Sequence, residues 1–205
     1  MDSLIQVFDN TLDEKACDDL IDFFNSYQPE DNDDKKRRYE LNMMPNFTLF
    51  KFTKLREQKP ELHDYFLSSA QYVIGEYRKR TPASNFWPEK YGFEEFKVKY
   101  YNKDLQDQFT IHTDATTLER SKRFFAFFWY LNDVEQGGET EFPDLGIKIK
   151  PKKGRIVMFP PFWMYPHIGH PPISNDKYLL SVYLHYVDNI KPGEPNYLGS
   201  GPLLK

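Results

Sequence analysis

Residues 95–114 read EFKVKYYNKDLQDQFTIHTD. Apolar and polar side chains alternate over 95–102 and again over 108–113, with a turn-rich KDLQDQ between them. A period of two predicts two half-buried strands joined by a loop. The same texture continues downstream, where short apolar runs separated by turn residues predict further strands at 123–131, 138–142, 146–150, 154–159, 165–168 and 176–187. So many short strands packed closely in sequence indicate a β sandwich or barrel.

Upstream the periodicity changes. Residues 3–8 read as a short strand, and Thr11-Leu12-Asp13-Glu14 has the form of a capping box opening a helix. Ala16, Leu20, Ile21, Phe23 and Phe24 then recur near helical spacing until Tyr27-Gln28-Pro29 ends the pattern. Residues 30–38, EDNDDKKRR, predict a solvated loop, and the alternation in 46–54 predicts a strand. Residues 60–80 place Leu62, Tyr65, Phe66, Ala70, Val73, Ile74 and Tyr77 on one face of a second long helix. The fold class expected is therefore α+β, mainly β, with helical support over about 11–82 lying against a β core over about 95–187. With 205 residues and no repeat or low-complexity linker, one domain spanning 1–205 is expected.

Composition narrows the function classes. Lys and Arg total 27 against 31 Asp and Glu, a formal charge of -4, so no overall basic field attracts nucleic acid. A local cluster, Lys148, Lys150, Lys152, Lys153 and Arg155, reads as a solvated hairpin edge. The single cysteine, Cys17, fits a reducing compartment. MDSLIQVFDN lacks an export pattern and no apolar run approaches membrane length, so a cytoplasmic protein is expected. Phe125, Phe127 and Trp129 read as core.

The chemistry-bearing signal lies in Phe109-Thr110-Ile111-His112-Thr113-Asp114. A strand places His112 and Asp114 on one face, where both can reach one ion. An open iron site needs two imidazoles and a carboxylate on one face of an octahedron, so a third ligand must come from elsewhere. His63 falls in a helix, which leaves His167, His170 and His185. His167 is favoured because Phe159-Pro160-Pro161-Phe162-Trp163-Met164-Tyr165-Pro166 offers a rigid, aromatic approach, whereas His170 sits in a Gly-His-Pro-Pro loop and His185 reads as a strand histidine. Lys177 follows ten residues after His167 and opens a strand on whose one face lie Lys177, Leu179, Ser181 and Tyr183. If that face points inward, the lysine requires an anion; if it points outward, Lys177 is an ordinary edge lysine.

These residues, together with Val98-Lys99-Tyr100-Tyr101, Tyr130-Leu131-Asn132-Asp133, Gly137-Gly138-Glu139-Thr140, Pro151-Lys152-Lys153-Gly154-Arg155 and Phe159-Pro160, resemble the prolyl 4-hydroxylase-like branch of the Fe(II)/2-oxoglutarate oxygenases over roughly 95–187. The resemblance implies a double-stranded β-helix, a distorted jelly roll. It implies His112, Asp114 and His167 as ligands of Fe(II), and Lys177 as the partner of the distal carboxylate of 2-oxoglutarate. It further implies hydrogen bonds to that cosubstrate from Tyr101, with Tyr100 as the fallback, and from Thr140. Gly137-Gly138 also reads as a plain hairpin or bulge. Arg123 is either the arginine that approaches a peptide substrate or an exposed residue at a strand start.

The activity implied is hydroxylation with O2 as second cosubstrate and release of succinate and CO2, with ascorbate as an associated cofactor. The substrate implied is a peptide, at proline. Two departures bear on it: Phe109 and Tyr183 stand where the resemblance leads one to expect tyrosine and tryptophan. The same chemistry on a free amino acid, another small molecule or a nucleobase stays open. So does a β-helix binding module without catalysis.

Overall fold

The computed structural model describes residues 4–26, 48–51 and 53–187. In chain order, β1 (Gln6–Phe8) precedes α1 (Glu14–Ser26); β2 (Thr48–Lys51), α2 (Thr53–Gln58) and α3 (Pro60–Arg80) follow. The β region comprises β3 (Tyr91–Phe93), β4 (Lys97–Tyr101), β5 (Phe109–His112), β6 (Arg123–Tyr130), β7 (Thr140–Phe142), β8 (Ile147–Ile149), β9 (Ile156–Phe159), β10 (His167–Gly169) and β11 (Lys177–Tyr186).

The strands form two antiparallel sheets. One runs β1-β9-β6-β11-β4-β2, with β3 also paired to β11; the other runs β5-β10-β7-β8. Strands β6 and β11 lie at the middle of the larger sheet, and all eight residues of β6 are buried. Its apolar run is continuous because both faces are covered. Phe125, Phe127 and Trp129 pack toward the helices with Phe66, Val73 and Tyr77, while Ala126, Phe128 and Tyr130 belong to a second cluster with Phe142 and Phe159. On β11 the same alternation sends Leu180, Val182 and Leu184 to the helical side and Leu179 and Tyr183 to the other.

Helix α3 forms where the apolar spacing predicts it. Pro60 stands in its first turn, where a missing N–H costs nothing. Glu61 begins it and Arg78, Lys79 and Arg80 end it, matching the helix dipole. Phe66, Ala70, Val73, Ile74 and Tyr77 are its buried stripe, and the Tyr77 hydroxyl donates to the Leu4 carbonyl (3.0 Å).

Local expectations are corrected at several places. Helix α1 starts at Glu14, with the Asp13 carbonyl accepting its first backbone bond from Cys17 (3.1 Å). Thr11 therefore does not cap it: its hydroxyl donates to the Gly154 carbonyl (2.8 Å) and accepts from the Trp129 indole (3.1 Å), a tertiary tie outbidding the local one. The strand expected over 46–54 is shorter, because Thr53–Gln58, rich in helix formers, turns into α2. Residue 3, the end expected for the first helix, the 30–38 loop and residues 46 and 47 lie outside the described residues. Strand β3 was not foreseen; its three residues carry no readable period and are held by Leu184, His185 and Tyr186 of β11.

The basic cluster near the β8–β9 turn is matched by carboxylates. Arg155 makes two bonds to Asp9 (2.6 and 3.1 Å), joined there by Lys152 (3.2 Å), while Lys153 meets Asp18 (2.7 Å) and Lys148 meets Glu141 (3.2 Å). The hydrogen bond from Arg155 outweighs burial and, with Lys152, brings the Asp9 carboxyl down to about 2 from its ordinary 3.8. A folded-state value below the unfolded one means stability that is present above about pH 4 and is lost as pH falls through about 2. Because Asp9 is more than a third exposed, the contribution is under about 1 kcal/mol. Asp9→Asn should therefore melt a few degrees below wild type near neutral pH, with the difference closing between about pH 4 and 2; a gap that widens in acid would contradict the pairing.

Candidate metal centre

Strands β5 and β10 pair so that His112 stands directly opposite His167. Asp114 lies just past the end of β5, yet ligand atoms of His112, Asp114 and His167 all lie within 4.8 Å of one another. His112 Nε2 is 3.6 Å from Asp114 Oδ1, and His167 Nε2 is 3.5 Å from Asp114 Oδ2. The Nδ1 of His112 faces the Thr110 carbonyl (2.7 Å) and that of His167 the Tyr165 carbonyl (3.1 Å). A carbonyl only accepts, so each Nδ1 carries the proton and each Nε2 turns a bare lone pair inward.

Asp114 and His167 are buried, and among the described residues Asp114 Oδ2 and His167 Nε2 have no hydrogen-bond partner. Two buried acceptors converging with no donor is a costly arrangement unless a cation fills it. Burial pushes His167 down to about 4, which keeps the ring neutral and able to ligate near pH 7. Burial alone would raise Asp114, but His167, His112 and Lys99 together hold it well below the ordinary carboxylate range. Two neutral imidazoles and one carboxylate on one side of a cavity suit a first-row divalent metal with open positions, as Fe(II) requires.

A frame of side chains holds the carboxylate in place. The Tyr183 hydroxyl donates to Asp114 Oδ1 (2.9 Å), and Arg123 donates to the Asp114 carbonyl (3.2 Å). Arg123 is itself fixed by two bonds to Glu94 (2.6 and 2.7 Å) and lies 4.0 Å over the Tyr183 ring. It is buried, so the reading as an exposed strand-start residue is corrected: β6 begins under the loop that carries Asp114.

The pocket beside the metal residues is lined by Tyr101, Phe109, Phe128, Thr140, Leu179, Lys99 and Lys177. Lys177 points inward and is 1% exposed. Its ammonium donates to the carbonyls of Gly138 (3.1 Å) and His170 (3.3 Å) and sits 3.9 Å over the Tyr101 ring. Burial, aided by the charge of Lys99, brings it down to about 7. An anion in the pocket would restore its charge. Thr140 Oγ1 accepts from the Tyr130 hydroxyl (2.6 Å), which leaves its own proton to donate into the pocket. Gly138 supplies the carbonyl from a backbone at φ +76°, and Gly137, also at +76°, lies so close to Pro171 that a Cβ would stand 2.5 Å from its carbonyl. The glycine pair thus lets the backbone approach Pro171 and turn a carbonyl to the pocket.

Register separates the two tyrosines. Tyr101 pairs with Lys177 and is buried in the pocket, whereas Tyr100 donates to Asp176 (2.8 Å) on the other side of the sheet. His170 turns its ring away to Glu141, and His185 is half-buried on β11 near Glu94. Sequence reading missed Glu94, Lys99 and the Tyr183 bond to Asp114. A period-two offset to Tyr101 places Lys99 on the same strand face, but does not show that the face is covered.

The family profile described as the 2OG-Fe(II) oxygenase superfamily matches residues 96–185. A probable prolyl 4-hydroxylase 11 of Arabidopsis thaliana is 29% identical over 102 residues, covering 46% of this chain and 35% of its own length. The chain spans about a third or less of the length of the curated relatives it matches. Among solved structures, the viral collagen prolyl hydroxylase of Paramecium Bursaria Chlorella virus-1 aligns with a TM-score of 0.65 at 23% identity, covering 90% of this chain and 97% of that one. A prolyl hydroxylase of Trichoplax adhaerens, solved with a hypoxia inducible factor oxygen degradation domain peptide fragment, aligns at 0.66 and 16% identity over 90% of this chain and 84% of that one.

If Tyr183 orients the ligand carboxylate, Tyr183→Phe should weaken Mn(II) binding about tenfold, the lower end for loss of a group that orients a ligand. Asp114→Ala should abolish it. Electron paramagnetic resonance titration with free Mn(II) checks both; wild-type affinity in Tyr183→Phe would show that the hydroxyl bond does not hold the ligand.

Proposed function

We propose that the chain is a 2OG-Fe(II) oxygenase of the prolyl hydroxylase-like branch, a reading supported by the profile match and the similar prolyl hydroxylases, and that it hydroxylates a peptide substrate, at proline, with consumption of 2-oxoglutarate and O2. The observation that carries the proposal is the joint one of a His-Asp-His cluster whose buried Asp114 Oδ2 and His167 Nε2 have no hydrogen-bond partner among the described residues, and a buried inward lysine on the same pocket. In this reading the two antiparallel sheets form a double-stranded β-helix within a single oxygenase domain, with the site between them.

His112, Asp114 and His167 would hold Fe(II), and Lys177 the distal carboxylate of 2-oxoglutarate, assisted by the hydroxyls of Tyr101 and Thr140. Fe(II) and 2-oxoglutarate, when bound, supply the oxidising chemistry, turning 2-oxoglutarate and O2 into succinate, CO2 and a hydroxylated substrate. The protein's part is positioning. Each Nδ1 bond fixes an imidazole, Tyr183 fixes the carboxylate, and Phe109, stacked 3.5 Å from His112, joins Phe128 and Leu179 in keeping water from the pocket. No side chain is required as a general acid or base.

A peptide substrate is supported by the neighbour solved with a peptide fragment. Arg123 serves that substrate indirectly, by setting the loop of Asp114. Phe109 and Tyr183 reshape the wall beside the metal, so the residue hydroxylated is the point the assay must address. Among the described residues no helix is long and apolar enough to cross a membrane.

Anaerobic addition of Fe(II) and 2-oxoglutarate should produce the weak visible metal-to-ligand band in wild type and not in His112→Ala. Lys177→Ala should weaken 2-oxoglutarate by about tenfold or more while sparing Fe(II); equal loss of both would refute its role. Succinate release, with and without ascorbate, should rise with proline-containing peptides; a rise only with free amino acids or nucleobases would overturn the peptide assignment.

A further inference from the structure

Two loops leave the metal end of the site together. Strands β5 and β10 are antiparallel, and His112 at the end of β5 pairs with His167 at the start of β10. The segment that carries Asp114 and the segment that leads into His167 therefore emerge at the same end of the smaller sheet. The two loops are tied at the base. The Ala115 N–H donates to the Pro161 carbonyl (3.2 Å), and Arg123 closes the first loop by donating to the Asp114 carbonyl (3.2 Å). In the second loop the Tyr165 N–H donates to the Phe162 carbonyl (2.9 Å), a four-residue turn with Trp163 and Met164 at its corner.

The side chains at the loop tips are apolar and uncovered: Leu118 is 90% exposed, Trp163 80% and Met164 51%. Tryptophan is on average well buried in folded chains. Here the flanks of the turn do go inward, Phe162 against the helical core and Tyr165 into the cluster on the site side, and Trp163 is held outside between them. The metal residues meet solvent at this end of the sheet. His112 keeps 18% side-chain exposure against 6% for Asp114 and 2% for His167, so a molecule reaching the cluster from outside passes His112 and the loops that follow it.

The size of the apolar rim selects its occupant. Three side chains of this kind cover no more than roughly 500 Å², short of the roughly 800 Å² per partner that a stable protein–protein interface buries. A second copy of the chain finds too little area there, and its docking would shut the site. A short extended segment running toward the metal residues finds enough, and its neighbouring side chains can rest on both loops at once.

We propose that Trp163 and Leu118, with Met164, are specificity-determining residues that dock apolar side chains flanking the residue hydroxylated, so that the substrate is an extended polypeptide segment with apolar neighbours around that residue. This rests on the oxygenase reading above and adds the sequence context that the reading leaves open. A free amino acid or a nucleobase has no flanking side chains with which to use the rim.

The test uses the full chain loaded with Mn(II) and 2-oxoglutarate, which avoids turnover, and two fluorescein-labelled nonapeptides with proline at the centre. One carries leucine and phenylalanine around the proline, the other serine and glycine. In fluorescence anisotropy the apolar peptide should bind wild type about tenfold or more tighter than the polar one, and Trp163→Ala should remove most of that preference, as truncation of an interface anchor does. Leu118→Ser should reduce it, and Trp163→Phe, which keeps a ring, should retain part of it. All three variants should bind Mn(II) and 2-oxoglutarate as wild type does and keep its melting temperature, because the substituted side chains are exposed. A second readout needs no label on the peptide. Trp129 is fully buried and Trp87 packs against Tyr77 and Phe125 (5.5 and 4.7 Å), so acrylamide quenching reports chiefly on Trp163 and should weaken when the unlabelled apolar peptide binds. Equal affinity of wild type for the two peptides, or a preference unchanged in Trp163→Ala and Leu118→Ser, would overturn the proposal. So would a dimer in sedimentation velocity that Trp163→Ala dissociates while peptide affinity stays the same. Wild-type protein that takes up neither Mn(II) nor 2-oxoglutarate would instead overturn the oxygenase reading itself.

Discussion

A buried carboxylate faced by two bare imidazole nitrogens is the arrangement around which the rest of the molecule is organised. Asp114 cannot find a donor for Oδ2 among its described neighbours, and neither nitrogen offers one. Left to relax, such a group would swing toward solvent. It is prevented by the Tyr183 hydroxyl on Oδ1, by Arg123 on its backbone carbonyl and by Glu94 behind Arg123. The frame joins the loop after β5 to β6, β11 and the segment after β3. A local binding site is thereby tied to the middle of the larger sheet.

Holding two lysines, an aspartate and two histidines in one interior opposes folding, and the opposite face of the same sheet compensates. Phe125, Phe127 and Trp129 of β6, and Leu180, Val182 and Leu184 of β11, form with α1 and α3 a core of apolar side chains. Each such side chain, fully buried, contributes about 1.5–3 kcal/mol. Strand periodicity keeps the two environments apart: Ala126, Phe128 and Tyr130 of β6 and Leu179 and Tyr183 of β11 lie on the site side, and Phe125, Phe127, Trp129, Leu180, Val182 and Leu184 between and beside them face the helices. A slip of one residue would exchange Lys177 for Tyr178 and put a charge under the helices, so burial of the helical face also sets the register of the site.

This division explains what could be read from sequence. His112, Asp114 and Lys177 were legible because period two is a local property, and the strand that carries each begins or ends close by. The two long helices were legible from the spacing of residues such as Leu20 and Phe23 or Val73 and Tyr77. Thr11 was misread because a local capping pattern competes with distant partners, Gly154 and Trp129, that sequence spacing does not reveal. Lys99 was hidden for a related reason: Lys97-Val98-Lys99 looks like a strand with one solvated face, and only the second sheet folded over that face turns the lysine into a pocket residue. Glu94 and Arg123 meet across 29 positions, a separation at which no pattern points from one to the other.

The placement of carboxylates completes the argument. On the β8–β9 turn and its surroundings Lys148, Lys152, Lys153 and Arg155 each have an acidic partner, and even the ring of His170 is taken by Glu141. Inside the pocket the rule is reversed: Lys177 is met by two carbonyls and the face of a tyrosine, groups that steady an ammonium without cancelling its charge. An internal carboxylate there would stabilise the empty protein and compete with any anionic ligand. Carbonyls from Gly138 and His170 cannot compete in that way, because they leave the formal charge intact. The pairing of His170 with Glu141 serves the same end, since it removes a third imidazole from the metal residues while the His170 carbonyl accepts from Lys177. The fold thus holds the cation ready for an anion, with Glu139 acting on it electrostatically but no carboxylate bonded to it among the described residues, which makes ligand binding, more than the empty state, the condition in which this charge is balanced.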